Sequence, residues 1–185
     1  NKFTIMVHLG MTGKINIIDA NKDKHKTSFY YKINDIKPDH DHLIFKFSKN
    51  ISFAYNDVRK FGFVKIFKTN EILLNSHLQK LGPEPLSKKF NLNYFKENTK
   101  KRKVFLKDLL MNQKFVAGLG NIYVNEAIFK AKLNPKLQVR NIPIKKIQTL
   151  VYNIKKVLKK AIYEGGSSIK DFNNTKGKKG NFQQF

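Results

Sequence analysis

Residues 107–135 read KDLLMNQKFVAGLGNIYVNEAIFKAKLNP. The stretch spells helix, glycine-rich turn, helix. Leu109, Leu110 and Phe115 make a first apolar stripe, and Gly118-Leu119-Gly120 interrupts it. Tyr123, Ala127, Ile128 and Ala131 then recur at helical spacing. Asn121 is expected to cap the second helix, because an Asn side-chain oxygen accepts from an orphan N–H of the first turn. Glycines let a backbone approach another body closely, and the helix start behind them offers N–H groups at a positive dipole end. In a chain of net charge +24 a phosphate suits that position. An ordinary helical hairpin with a glycine turn would show the same pattern.

Working outward, the 185 residues suffice for one large domain or two small ones, and 16 Phe with 7 Tyr can fill a core. Lys and Arg number 37 against 13 Asp and Glu, which favours a polyanionic partner, nucleic acid ahead of an anionic membrane. Only Arg59, Arg102 and Arg140 are arginines, and the chain is rich in Asn, Ile and Phe. An AT-rich, bacterial genome would produce that bias and part of the lysine content. The chain has no Cys, so neither a disulfide framework nor a cysteine-ligated zinc can be built from it. No apolar run approaches the ~20 residues of a membrane span, and no signal peptide is visible. The first residues, NKFTIMVHLG, lie inside a strand-like run, and the last, QQF, bring no cap. Both ends read as cut, and the chain is expected to be a piece of a longer protein.

Residues 1–68 read as β structure. Phe3, Ile5 and Val7 alternate, as do Ile15 and Ile17, and then Leu43, Phe45 and Phe47. Residues 51–55 and 61–67 are two further strands, with Asn56-Asp57 as the turn between them. The Lys-rich segment 19–41 is expected to be a mobile loop. A short helix over 71–82 stops at Gly82-Pro83, and residues 91–185 are mostly helical. Lys145 to Tyr163 is the clearest helix, with Ile147, Leu150, Val151, Ile154, Val157, Leu158 and Ala161 on one face and six lysines on the other. The fold class is therefore α+β, with a boundary near 88: domain 1–88 of sheet, then domain 89–185 of helices.

Several side chains are placed for work. Met11 stands in the glycine turn HLGMTG, where an exposed Met is unusual, although packing under the turn is the commoner use. Arg59 and Phe61 in DVRKFG are two apart, so an extended segment points them the same way, as insertion into a base stack requires. A hairpin with one exposed Arg is the plainer alternative. His40-Asp41-His42 puts two imidazoles on one side of a strand, half a metal site at most; a phosphate contact or plain surface fits as well. Lys100 to Lys103 suits a phosphate clamp or a solvated face. No Ser-His-Asp spacing, no nucleotide-binding P-loop and no carboxylate pair of obvious function is present, so no catalytic residue is assigned.

HLGMTG, DVRKFG, LGPEPL, AGLGNIYVNEAIFKAKLNP and EGGSSIKDF, in that order, resemble the formamidopyrimidine-DNA glycosylases, bifunctional base-excision repair enzymes. The resemblance covers nearly the whole chain. It implies a two-sheet β-sandwich, partial here, followed by a helix–two-turn–helix domain, with DNA in the cleft between. It implies a DNA glycosylase and AP lyase acting on 8-oxoguanine and formamidopyrimidines in double-stranded DNA, and binding to abasic sites, by a monomer at the nucleoid in the cytoplasm. By position, Met11, Arg59 and Phe61 match the residues that fill the gap left by a flipped nucleotide. His8, His40, Arg59 and Arg102 match DNA contacts, and Lys107 and Asn121 match residues gripping phosphates. Thr175, Lys176, Gly177 and Gly180, in the tail TKGKKGNF, match the loop that closes over the lesion. Family features lacking here are the N-terminal Pro-Glu pair, whose Pro amine is the nucleophile, the catalytic Lys upstream of HLGMTG, and the four-Cys finger with its structural zinc. Lys60 replaces a usual Arg. The chain therefore carries no catalytic residue, cofactor or metal of its own in this reading. A non-catalytic nucleic-acid-binding protein, or an inactive fragment, is the alternative.

Overall fold

The computed structural model describes residues 2–18, 24–26 and 37–164. Compact packing sets Leu73–Ile162 apart as a second unit; Asn1–Ile72 belong to the first, with which Tyr163 also groups. In the first unit, strands β1 (Phe3–His8), β2 (Gly13–Ile18), β3 (Lys24–Lys26), β4 (Asp41–Lys46), β5 (Ser52–Asp57) and β6 (Phe63–Lys68) form two antiparallel sheets. One sheet is β1–β6, with His8 opposite Phe63. The other is ordered β3–β2–β5–β4, with Gly13 opposite Asp57. Two consecutive strand pairs, β1 to β2 and β5 to β6, therefore each change sheet. Their connections, residues 9–12 and 58–62, carry Met11 and Arg59-Lys60-Phe61.

Asn56 and Asp57, expected to turn the chain, instead end β5 with their side chains buried. Partners explain the difference. The Asn56 amide donates to Lys37 O (2.8 Å) and to Asp41 Oδ1 (2.7 Å). The turn falls at 58–62, where Lys60 adopts a left-handed φ of 57°. Apolar burial in this unit is thin. Ala54 and Tyr55 are buried, while Phe3, Ile5, Ile44 and Ile66 are exposed.

The second unit holds α1 (Ser76–Gln79), α2 (Leu92–Thr99), α3 (Leu106–Met111), α4 (Asn121–Lys130) and α5 (Ile144–Tyr163). The single helix expected over 71–82 is split. A 3-10 helix runs Thr69–Leu74, Asn75 is extended, and its Oδ1 accepts from His77 N–H (2.9 Å) to start α1. The α5 boundaries are one residue from the expected start and equal to the expected end. Pro143 O accepts from Lys146 and Ile147 N–H and caps that start. Phe90, Phe95 and Phe115 meet as edge-to-face aromatics, 5.2–6.4 Å between centroids. Leu106, Leu110, Val124, Leu150 and Ile154 close the core around them. Amphipathic α5 supplies one wall, and α3 with α4 the others.

Candidate nucleic-acid interface

In the first unit the two sheet-changing turns are fastened by one carboxylate. Asp57 has no solvent exposure. Its Oδ1 accepts from Thr12 Oγ1 (2.5 Å) and Arg59 N–H (3.3 Å), and its Oδ2 from Gly62 N–H (2.9 Å) and Tyr55 OH (3.1 Å). Thr12 Oγ1 also accepts from Arg59 N–H (3.1 Å), so the turn bearing Met11 is tied to the turn bearing Arg59 and Phe61. Burial favours the neutral acid, but the donors from Thr12, Gly62, Tyr55 and Arg59 outweigh it and hold the Asp57 pKa below its ordinary value. Burial, the hydrogen bond to Asp57 and the carboxylate charge push the Tyr55 pKa up to about 12. Tyr55 thus remains a donor. Gly10, at φ +60°, lets the turns touch: a Cβ there would sit 2.8 Å from Gly62 N.

On this mount, Met11 is 70% and Phe61 59% exposed. The Arg59 guanidinium lies over the Phe61 ring, 4.6 Å from its centroid. The segment is not extended as expected. The left-handed Lys60 makes a turn, and the cation–π contact, rather than strand alternation, brings Arg59 and Phe61 together. The His8 ring stacks on Phe63 at 5.2 Å, and its Nδ1 accepts from Gly10 N–H (3.1 Å). That tautomer leaves Nε2–H as the outward donor.

His40 and His42 do not share a strand face. His40 ends a 3-10 helix, and His42 Nε2 meets Asp57 O at 2.8 Å. Among the described residues no three His, Cys, Asp or Glu side chains could hold a metal. The chain has no Cys, so a four-thiolate zinc site does not fit the residues present.

In the second unit α3 ends at Met111, two turns follow over 113–118, and α4 begins at Asn121. Asn121 is not the cap. Gly120 holds that place with extended backbone and no side-chain hydrogen bond. Asn121 is the first helical residue, exposed, and its Oδ1 accepts from Asn125 Nδ2 at 3.3 Å. Glycine serves at an N-cap almost as well as Asn. Gly118 is left-handed at φ +85°, and a Cβ at Gly118 or Gly120 would have open space before it. The glycines therefore make no close approach inside this unit; their outer side is clear for another molecule.

Gln113 went unnoticed in the sequence, yet it braces this turn. Its Oε1 accepts from Gly118 N–H (2.7 Å) and its Nε2 donates to Leu119 O (2.9 Å). An amide five residues before a left-handed glycine is the only signal it left. Lys107 is half-buried in the first turn of α3, its N–H donating to Pro135 O (3.1 Å). Lys100 to Lys103 are exposed beyond the C-terminus of α2, where cations also favour the helix dipole. Arg102 lies close enough to Tyr94 to oppose the effect of burial, which raises that tyrosine's pKa. Thr175, Lys176, Gly177 and Gly180 lie outside the described residues, as does most of segment 19–36.

Two family models match the chain. Residues 1–64 match the formamidopyrimidine-DNA glycosylase N-terminal domain, and residues 81–173 the formamidopyrimidine-DNA glycosylase H2TH domain. The formamidopyrimidine-DNA glycosylase of Rhodopseudomonas palustris is 37% identical, with 97% of this chain and 63% of that protein aligned. The one from Aliivibrio fischeri is 39% identical, over 99% and 62%. A Lactococcus lactis Fpg variant solved with Fapy-dG-containing DNA superposes with a TM-score of 0.80 at 32% identity, covering 100% of this chain and 63% of that one. The Lactococcus lactis Fpg complex with abasic-site DNA gives 0.77 at 33%, over 100% and 62%. The chain thus spans less than two thirds of the length of these relatives. With α+β architecture, both domain models and this level of identity, the chain belongs to the formamidopyrimidine-DNA glycosylase family.

Proposed function

We propose that this chain is the damage-recognition and duplex-gripping part of a base-excision repair enzyme, a DNA glycosylase and AP lyase acting on oxidised purines. The observation that supports it most is the exposed trio Met11, Arg59 and Phe61, held on two turns by one buried carboxylate. Extruding a nucleotide from a duplex costs a few kcal/mol. A rigidly mounted thioether and ring refill the stack, and a guanidinium offers donors to the base left without a partner. The relatives solved with Fapy-dG and abasic-site DNA favour that substrate class.

In this reading residues 1–88 sense the lesion and 89–185 grip the duplex. Asn121 and the α4 start take one phosphate beside the clear glycine turn, and Lys107 takes another. His8, through Nε2–H, His40 and Arg102 add backbone contacts, and the tail around Thr175 to Gly180 closes over the extruded base. The protein works as a monomer on the bacterial nucleoid. The family's amine nucleophile, an N-terminal Pro, has no counterpart in this sequence, so base excision is proposed for the whole protein only.

The test is incubation of the chain with duplex DNA carrying one 8-oxoguanine, with borohydride present, read on native and denaturing gels. A lesion-selective native shift without a covalent adduct is the expected result. Equal binding to intact duplex and to RNA would favour the non-catalytic nucleic-acid-binding alternative. An adduct would place Schiff-base chemistry on an amine of this chain.

A further inference from the structure

Between Glu126 and Glu164 the sequence holds no acidic residue, and α5 carries six lysines in that interval. Surface helices ordinarily mix charges at i and i+4, because like charges there are destabilising. Around the helix, at 100° per residue, Lys145, Tyr152, Lys156 and Lys159 fall within roughly 60° of one another. They lie opposite the buried Ile147, Leu150, Ile154 and Val157. All four are exposed, and Lys156 Nζ sits 5.9 Å from the Tyr152 ring centroid. The Gly118 turn lies elsewhere. It shares a groove of about 310 Å³ with Leu158 and Ile162, roughly 110° round the helix from the lysine stripe.

From this we infer that the outward face of α5 is a second nucleic-acid contact, holding a separate duplex segment by its phosphates without reading sequence. Charge complementarity selects the partner. Lysines are point charges suited to phosphate, and a tyrosine hydroxyl adds a donor to phosphate oxygens. Lys145 and Lys156 are about 16 Å apart along the axis, roughly half a duplex turn. An anionic bilayer fits less well. Interfacial helices bury an apolar stripe in lipid, and the apolar stripe of α5 is already inside the protein. A second contact would let the protein pass between DNA segments without full release.

The inference extends the reading of the chain as a duplex binder, and its test separates the two. The full chain is loaded on an immobilised lesion duplex and challenged with a labelled intact duplex. In the variant carrying Lys145→Gln, Lys156→Gln and Lys159→Gln, capture of the second duplex should fall about tenfold at low salt. Its log–log salt slope should drop by roughly 2.7, near 0.9 for each lysine. Lesion affinity should stay within about twofold of the parent chain. Lys107→Ala should do the reverse, weakening lesion binding and sparing capture by already-bound protein. Capture unchanged in the triple variant overturns the inference. So does capture replaced by equally lysine-dependent binding to phosphatidylserine vesicles. Gln suits exposed helix positions, and unchanged far-ultraviolet dichroism verifies the fold.

Discussion

Asp57 is the residue on which the recognition turns depend. Its carboxylate must be ionised to accept from four donors, and its depressed pKa makes that contribution a function of pH. The stabilisation is fully present above the ~3.9 of a free Asp and is lost as pH falls through the lower native value. Melting temperature should therefore hold through mildly acidic pH and fall below that range, and Asp57→Asn should cost about 2–3 kcal/mol and flatten this step. Tyr55 reports on the same cluster. Its contribution is present below pH ~10 and lost as pH rises toward 12, so a late phenol should appear in an ultraviolet titration and persist in Tyr94→Phe, which removes the other tyrosine raised by burial. In Asp57→Asn that phenol should titrate earlier, because the charge and the acceptor are gone while burial remains. A late phenol untouched by the substitution would mean that the network is not formed. In the helical unit, Lys107→Ala and Asn121→Ala should each weaken duplex binding by ~1–3 kcal/mol in a filter-binding titration, the usual loss for a charge-assisted contact. Unchanged affinity in both would remove the phosphate-grip reading.

At the scale of elements, what repeats was legible and what bends was not. The 3.6-residue period of Ile147, Leu150 and Ile154 reports burial directly, so α5 is legible nearly to the residue, whereas the alternation of Ile15 with Ile17 marks β2 as a strand but not its buried side, since Lys14 and Asn16 are buried and the two isoleucines half-buried. The Asn56-Asp57 turn and the Asn121 cap are displaced for separate reasons. Asn and Asp favour turns and caps when no distant acceptor or donor exists, but Asn56 and Asp57 find partners on β4 and on the two tips, and Gly120 takes the cap. The joint placement of Arg59 and Phe61 was anticipated from spacing, while its cause, a left-handed Lys60, has no signature in spacing. Gln113 was invisible because its partners are backbone groups of a turn not yet built. Since it holds both Gly118 N–H and Leu119 O, Gln113→Ala should loosen the turn, with faster amide exchange at Gly118 and weaker duplex binding while α5 remains protected.

On the scale of the molecule the two units differ in how much they bury. Edge-to-face packing of Phe90 and Phe95 on Phe115, with the leucines around them, gives the helical unit a continuous core. The sheet unit leaves Phe3, Ile5 and Ile66 on the surface of a two-stranded ribbon, a class of structure that is marginal alone in water. Hydrogen exchange should accordingly be slow across α3, α4 and α5 and fast across β1 and β6, except near the tips fastened by Asp57; uniform protection would contradict this division. The charge also acts at this scale, since net +24 draws any polyanion and gives affinity without selectivity. In the proposed reading, selectivity comes from the three exposed side chains on the tips, Met11, Arg59 and Phe61. The most direct measurement is the ratio of dissociation constants for abasic-site and intact duplexes, at fixed salt, for the chain and for its Met11→Ala, Phe61→Ala double variant. That role for the tip side chains requires a preference for the damaged duplex in the parent chain that largely disappears in the variant, with affinity for intact duplex preserved. An equal ratio in both proteins, or no preference in the parent, would contradict it.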